Sequence, residues 1–366
     1  MSRLFLILLG LVIMLMPPLT FAAEASSEKA KVGALFKAYK ASLKVGDVEG
    51  ALISAEQMYA MTPGVFGKTS KTHATAAFNL AQLSAVLKHR QDTARYYQEH
   101  LDILDELKVP KNERYLAKQG LLAGAYMNIS EADKAIKYGQ KALDLAKTLK
   151  VSNDLLAAFE LNLGSYYLYS YGQGFKARGH FKRAYDLRVK IYSEDHLKTA
   201  EVIWWQAKYH SFKRSYSRAV DYYGRVLSIY QDKLNPGDER FRQLYLAFEG
   251  VYAVLEDHEN ATKYTRLIQK EFPSTEPSDY FPIVKVAPIY PREAMRRKLS
   301  GYVVLEFTID ITGAVKDAKV LETSNRVFNK AALKAAKKFH YRPQFKDGKP
   351  IETVNVRHKI TFEIEY

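Results

Sequence analysis

The sequence predicts an α-helical repeat solenoid followed by a small α+β domain with a three-stranded antiparallel sheet. Two observations carry that reading. From about Glu28 to Phe272, long helical patterns alternate with short polar breaks. A small residue recurs after each mid-repeat turn: Ala51, Ala94, Ala135, Ala177, Ala219 and Ala261, at spacings of 43, 41, 42, 42 and 42. Beyond Pro273 the apolar period changes from helical to alternating, the pattern of strands packed on one side.

The N-terminus has its own layout. Arg3 precedes an uncharged apolar run from Leu4 to Met16, then Pro17-Pro18 and the small residues Ala22-Ala23. That order predicts a secretory signal peptide over residues 1–23 and a periplasmic mature protein; the alternative is an uncleaved segment anchored in the inner membrane. No Cys follows the cleavage region, which excludes a lipid-anchored lipoprotein. The absence of Cys from all 366 residues also excludes disulfide frameworks, thiolate metal sites and cysteine nucleophiles. Fifty-five Lys and Arg against 40 Asp and Glu give a net charge of +15. Such a surface favours anionic neighbours. An exported chain rarely meets nucleic acid, so none is expected as a partner.

In the repeat, a ring follows the small residue by three positions in five of six cases: Tyr97, Tyr138, His180, Tyr222 and Tyr264, with Ser54 in the first. Twelve positions before the small residue stand Ala123, Ser165 and Ala207, and Tyr39 in the first repeat. Small residues let two helices approach closely, while rings fill the grooves between neighbours. One hairpin cannot bury both its apolar faces, so six of them stack. The pattern resembles the tetratricopeptide repeat family, in a longer variant, over residues 28–272. The resemblance implies a surface that binds a peptide or protein, here an unknown partner. Tyr residues at fixed repeat positions read as inter-helix packing rather than as a stacking surface for bases or sugars.

No chemistry-bearing motif survives inspection. The stretch Thr62-Pro-Gly-Val-Phe-Gly67-Lys68-Thr69 lacks the first glycine of a phosphate loop and reads as the loop between the first two hairpins. The nine His show no paired-ligand spacing, and Gly164-Ser165 sits in a helical pattern. The chain is expected to be no enzyme and to use no cofactor or metal.

Residues 273–282, with Pro273, Pro277 and Pro282, read as a linker, and residues 283–366 as the second domain. A first strand places Val303, Leu305, Phe307 and Ile309 inward. Asp310-Ile-Thr-Gly313 makes a turn with Gly313 at positive φ. A second strand runs from about Val315 to Thr323. A helix from about Phe328 to Phe339 buries Phe328, Ala332, Ala335, Ala336 and Phe339. The last strand is expected to turn Val354, Val356, Ile360, Phe362 and Ile364 inward.

These residues resemble the TonB C-terminal domain family over 283–366. The resemblance is carried by Pro288, Tyr290 and Pro291, by Gly301 and Gly313 with the strand between them, by Tyr341 and Pro343, and by Gly348-x-Pro350. It implies a domain that binds TonB-dependent outer-membrane receptors by adding their TonB-box peptide as a strand, in energised uptake of iron chelates or cobalamin. It nominates the last strand as the binding edge: Val354, Asn355, Val356, Arg357, His358, Lys359, Ile360 and Thr361. Energy-transducing members carry an uncleaved transmembrane helix that engages the ExbB–ExbD motor, and a Pro-rich spacer. Here the repeat replaces the spacer, the N-terminus reads as cleavable, and Ala287 stands where the family often has Gln. The alternatives are an anchored transducer coupled to ExbB–ExbD, or a cell-envelope scaffold on the anionic wall.

Overall fold

A computed structural model describes residues 18–272, 280–346 and 349–363. The run Leu4 to Met16, most of residues 273–282, Gly348 and Ile364 lie outside the described residues. Twelve helices come first: α1 Pro18–Lys44, α2 Val48–Phe66, α3 Lys71–Val86, α4 Arg90–Glu106, α5 Glu113–Asn128, α6 Ala132–Thr148, α7 Asn153–Tyr169, α8 Ala177–Tyr192, α9 Leu197–Phe212, α10 Tyr216–Lys233, α11 Glu239–Val254 and α12 His258–Glu271. Polar side chains open many of them. Asp47, Ser70, Asn112, Ser152, Asp238 and Asp257 each accept a backbone N–H of the first turn, which satisfies donors the helix itself leaves unpaired.

The hairpin turns are more regular than their sequences. Gly46, Lys88, Ser130, Gly172, Arg214 and Glu256 all have positive φ. They recur every 42 residues. In five of the six, the next residue's N–H reaches five positions back, as from His89 to the Ser84 carbonyl (2.8 Å) and from Ser215 to His210 (2.8 Å). This is the Schellman closure of a helix C-terminus. Only two of the six are glycine, so composition hides the motif.

The small anchors sit where the period puts them: Ala51, Ala94, Ala135, Ala177, Ala219 and Ala261 are all fully buried. Tyr39 is buried despite its size. The expectation of a loop over 62–69 is corrected, because α2 continues to Phe66 with Pro63 inside it. Proline cannot donate to the Tyr59 carbonyl four residues back. The Thr62 hydroxyl, also fully buried, donates to that carbonyl instead at 3.1 Å. The chain separates into two compact units, the first ending at Ala184 and the second running from Tyr185. The second unit holds the last hairpins together with the α+β segment.

That segment contains β1 Phe281–Val284, α13 Arg292–Arg296, β2 Gly301–Ile309, β3 Val315–Thr323, α14 Asn329–Ala336, β4 His340–Arg342, β5 Gln344–Lys346, β6 Lys349–Ile351 and β7 Thr353–Phe362. The three-stranded antiparallel sheet has the order β3-β2-β7. Two further ladders, β1-β4 and β5-β6, were not expected from the sequence. Phe281 and Pro282, read as linker, belong to β1. Proline is tolerated there because, among the described residues, β1 pairs on one side only. Val303, Leu305, Phe307 and Ile309 meet Phe328, Ala332, Ala336 and Phe339 in one core.

Candidate functional site

Among the described residues, β7 is an outer strand of its sheet, paired with β2 alone. Its inner face follows the expected parity at Val356, Ile360 and Phe362, all buried. Val354 departs from it and is 61% exposed. Asn355 has φ +56, and the β2–β7 register shifts between Phe307 and Ile309. A bulge resets the alternation, so a strict period of two fails there.

The outer face of the sheet is charged. Glu306 in the central strand reaches Lys319 of β3 (2.8 Å) on one side and Arg357 of β7 (3.3 Å) on the other. The Lys319 ammonium and the Arg357 guanidinium hold the Glu306 carboxyl below the usual carboxylate range. Lys359 lies 4.1 Å over the Tyr302 ring. His358 packs edge-on against Phe339, and burial lowers its basicity. Asn355 and Thr361 are exposed.

The motif residues are mostly structural. Gly313 has φ +89, and a Cβ on it would stand 1.9 Å from the Tyr341 carbonyl oxygen. Tyr341 in turn donates its N–H to the Gly313 carbonyl at 2.8 Å. Asp310 Oδ1 closes the same turn, accepting from the N–H groups of Thr312 and Ala314. A Cβ on Gly301 would collide with Ser324 and Phe328. Tyr290 packs edge-on against Phe328 and Phe362 and donates its hydroxyl to the Leu299 carbonyl. Pro291 precedes α13 as its N-cap, Pro288 is half-buried and Pro343 is buried between β4 and β5. The motif thus builds the domain, while the exposed groups of β7 face solvent.

The repeats carry clefts as well. One of about 670 Å³ is lined by Tyr59, His73, Arg95 and Glu99. Its polar groups bond one another: the Tyr59 hydroxyl donates to Glu99 (2.7 Å), and His73 Nε2 lies 3.1 Å from the same carboxylate. Another of about 420 Å³ is lined by Trp204, Trp205, Tyr230 and Arg240.

Contacts tie the α+β segment to the last hairpin. Arg342 pairs with Glu249, the Thr262 hydroxyl donates to the Thr312 carbonyl (2.8 Å), and Lys338 pairs with Glu256. His258 stacks on His340 with their Nδ1 atoms 3.1 Å apart. Sequence reasoning missed this seam. One signal was present: Glu249 stands twelve residues before Ala261, where the three preceding repeats have Ala123, Ser165 and Ala207.

Among the described residues no helix is long and apolar enough to cross a membrane. The family model described as "Gram-negative bacterial TonB protein C-terminal" matches residues 286–366. Protein TonB of Pseudomonas aeruginosa is 36% identical over 73 residues, which are 20% of this chain and 21% of that relative. The solution structure of the Pseudomonas aeruginosa TonB C-terminal domain is 31% identical. It aligns over 25% of this chain and 93% of that one, with a TM-score of 0.22. A putative kinesin light chain from Podosopora anserina, built of nearly identical TPR-like repeats, is 15% identical. That alignment covers 57% of this chain and 96% of that one, with a TM-score of 0.47. Behind the helical repeats of α1–α12, this chain therefore carries a TonB-type C-terminal segment over residues 286–366.

Proposed function

We propose that this is an exported, periplasmic TonB-family protein. Its C-terminal domain binds TonB-dependent outer-membrane receptors by adding the receptor's TonB-box peptide along β7. The helical repeats hold a further protein, and the pair serves energised uptake of iron chelates or similar ligands. The observation that carries this reading is the outer position of β7 within a segment that matches the TonB C-terminal family. An outer strand offers unpaired N–H and C=O groups to an extended peptide. The chain acts as a binding protein rather than as a catalyst.

Because the chain has no Cys, disulfide trapping tests the edge directly. Thr361→Cys and Arg357→Cys on β7 are each mixed with TonB-box peptides carrying one Cys. Lys316→Cys and Leu321→Cys on β3 serve as the other edge. Crosslinks confined to β7 are the expected result. Trapping on β3 alone, or at neither edge, refutes strand addition at β7.

A further inference from the structure

The turn of the fourth hairpin differs from the others. Between Tyr169 and Ala177 the chain reads Tyr-Ser-Tyr-Gly-Gln-Gly-Phe-Lys-Ala. Tyr171 is completely exposed, Phe175 is 62% exposed and Tyr169 49% exposed. The matching turns in other repeats carry Lys88-His89, Ser130-Glu131 and Arg214-Ser215. Three large rings in seven residues are therefore exposed at a turn where polar residues are the rule.

The charged residues of the turn itself have one sign. From Tyr169 to Gly179 the sequence contains Lys176 and Arg178 and no carboxylate. The nearest carboxylate before it in sequence, Glu160, is buried, 2.7 Å from His180 Nδ1 and paired with Arg183 (3.0 Å). Lys176 and Arg178 are exposed beside Phe175.

We propose that this tip is a docking surface for an anionic phospholipid bilayer. Aromatic rings favour the headgroup level of a membrane, because their apolar bodies leave water while the phenol hydroxyl stays solvated. Adjacent cations add attraction to anionic headgroups, on the order of 1 kcal/mol for each Lys or Arg near the surface. The degree of exposure selects the occupant. A ring as exposed as Tyr171 has no protein wall beside it. Binding hot spots on protein partners are packed into desolvated pockets. A fluid headgroup layer accepts a protruding ring without a preformed cavity.

The test uses the full chain and the absence of any native thiol. Gln173→Cys, inside the turn, is labelled with an environment-sensitive fluorophore and leaves all three rings in place. Lys150→Cys, at the other end of α7 and about 25 Å away by helix rise, carries the same label as a control. Vesicles of phosphatidylcholine with about one-third phosphatidylglycerol are titrated in at physiological salt. Emission at position 173 is expected to rise about threefold or more, with little change at 150. Tyr171→Ser with Phe175→Ser should abolish the rise, and Lys176→Glu with Arg178→Glu should weaken vesicle affinity about tenfold. Unchanged circular dichroism melting establishes that these variants are folded. Silence at position 173, equal responses at 173 and 150, or an equal response to pure phosphatidylcholine overturns the proposal. Silence toward vesicles would leave the tip to a protein partner.

Discussion

The carboxylate of Glu249 in α11 lies 2.6 Å from the guanidinium of Arg342 in β4, and only 2% of the Glu249 side chain is exposed. The Thr265 hydroxyl donates to the same carboxylate. In three earlier repeats this position holds Ala or Ser. The last repeat therefore exchanges a close helix contact for an ion pair to the α+β segment. Breaking such a pair leaves a buried charge uncompensated, which costs about 3–5 kcal/mol. Arg342→Ala should lower unfolding stability by that order. Glu249→Ala combined with Arg342→Met removes both charges and should recover much of the loss. Denaturant titration of the three proteins measures it. A double variant no more stable than Arg342→Ala would contradict the pairing.

How much of this was legible depended on period. The 42-residue spacing exposed the repeat because small residues and rings must recur wherever identical hairpins stack. The strand β2 was legible because its four buried apolar residues, Val303, Leu305, Phe307 and Ile309, recur at every second position. Other features had no periodic signature. Strands β1, β4, β5 and β6 are three or four residues long, too short for alternation to register. Pro63 concealed the end of α2, since its missing N–H is replaced by a Thr62 hydroxyl that no propensity scale sees. Val354 was misplaced by one bulge at Asn355. Edge geometry, the basis of the candidate site, depends on pairing partners far away in sequence. Alternation within β7 could not reveal it.

The left-handed turn positions give a stabilising prediction. Lys88 and Arg214 hold φ of 62° and 56°, a region that costs non-glycine residues roughly 1–2 kcal/mol. Glycine removes that strain but adds chain entropy in the unfolded state. Lys88→Gly and Arg214→Gly should each stabilise by about 0.5–1 kcal/mol. Thermal unfolding would show this, and a lowered midpoint for both would argue against the turn geometry.

Close packing at the anchors predicts the opposite sign. Ala135 and Ala219 are fully buried. Replacing either with Phe overpacks the hairpin, at about 1–3 kcal/mol. Lys137, two residues from Ala135, is exposed, and Lys137→Phe should cost little. Equal melting shifts for Ala135→Phe and Lys137→Phe would contradict the register.

His340 links stability to pH. It is almost fully buried, and burial pushes its pKa down to about 4, with His258 acting in the same direction. An unfolded histidine titrates near 6.5. Between those values the unfolded chain binds the extra proton, so folding stability rises with pH across that window. The contribution is complete above about pH 6.5 and is lost as pH falls toward 4, on the order of 3 kcal/mol. His340→Phe should flatten that part of the pH profile relative to wild type. An unchanged slope between pH 4 and 6.5 would show that His340 is not the titrating group.

Proline scanning along β7 distinguishes a binding edge from a structural one. In an antiparallel ladder the residues of one parity direct their N–H and C=O groups toward the neighbouring strand. Those of the other parity direct them outward. β7 pairs with β2 over Tyr302↔Thr361, Val304↔Lys359 and Glu306↔Arg357, and over the alternate pairs between them. Proline removes one N–H donor and is tolerated where that donor faces away from the sheet. One of two sets, either Arg357, Lys359 and Thr361 or Val356, His358 and Ile360, should therefore contain variants that remain folded. Those folded variants should lose affinity for a TonB-box peptide, because the donors removed are the ones an added strand would use. The other set should lose the sheet and melt early. Val356 and Ile360 are buried, so each Pro variant is compared with Ala at the same position, which separates lost packing from a lost hydrogen bond. Calorimetric titration and a melting curve for each variant supply both readings. If every folded Pro variant binds the peptide as the wild type does, the partner strand does not add along β7.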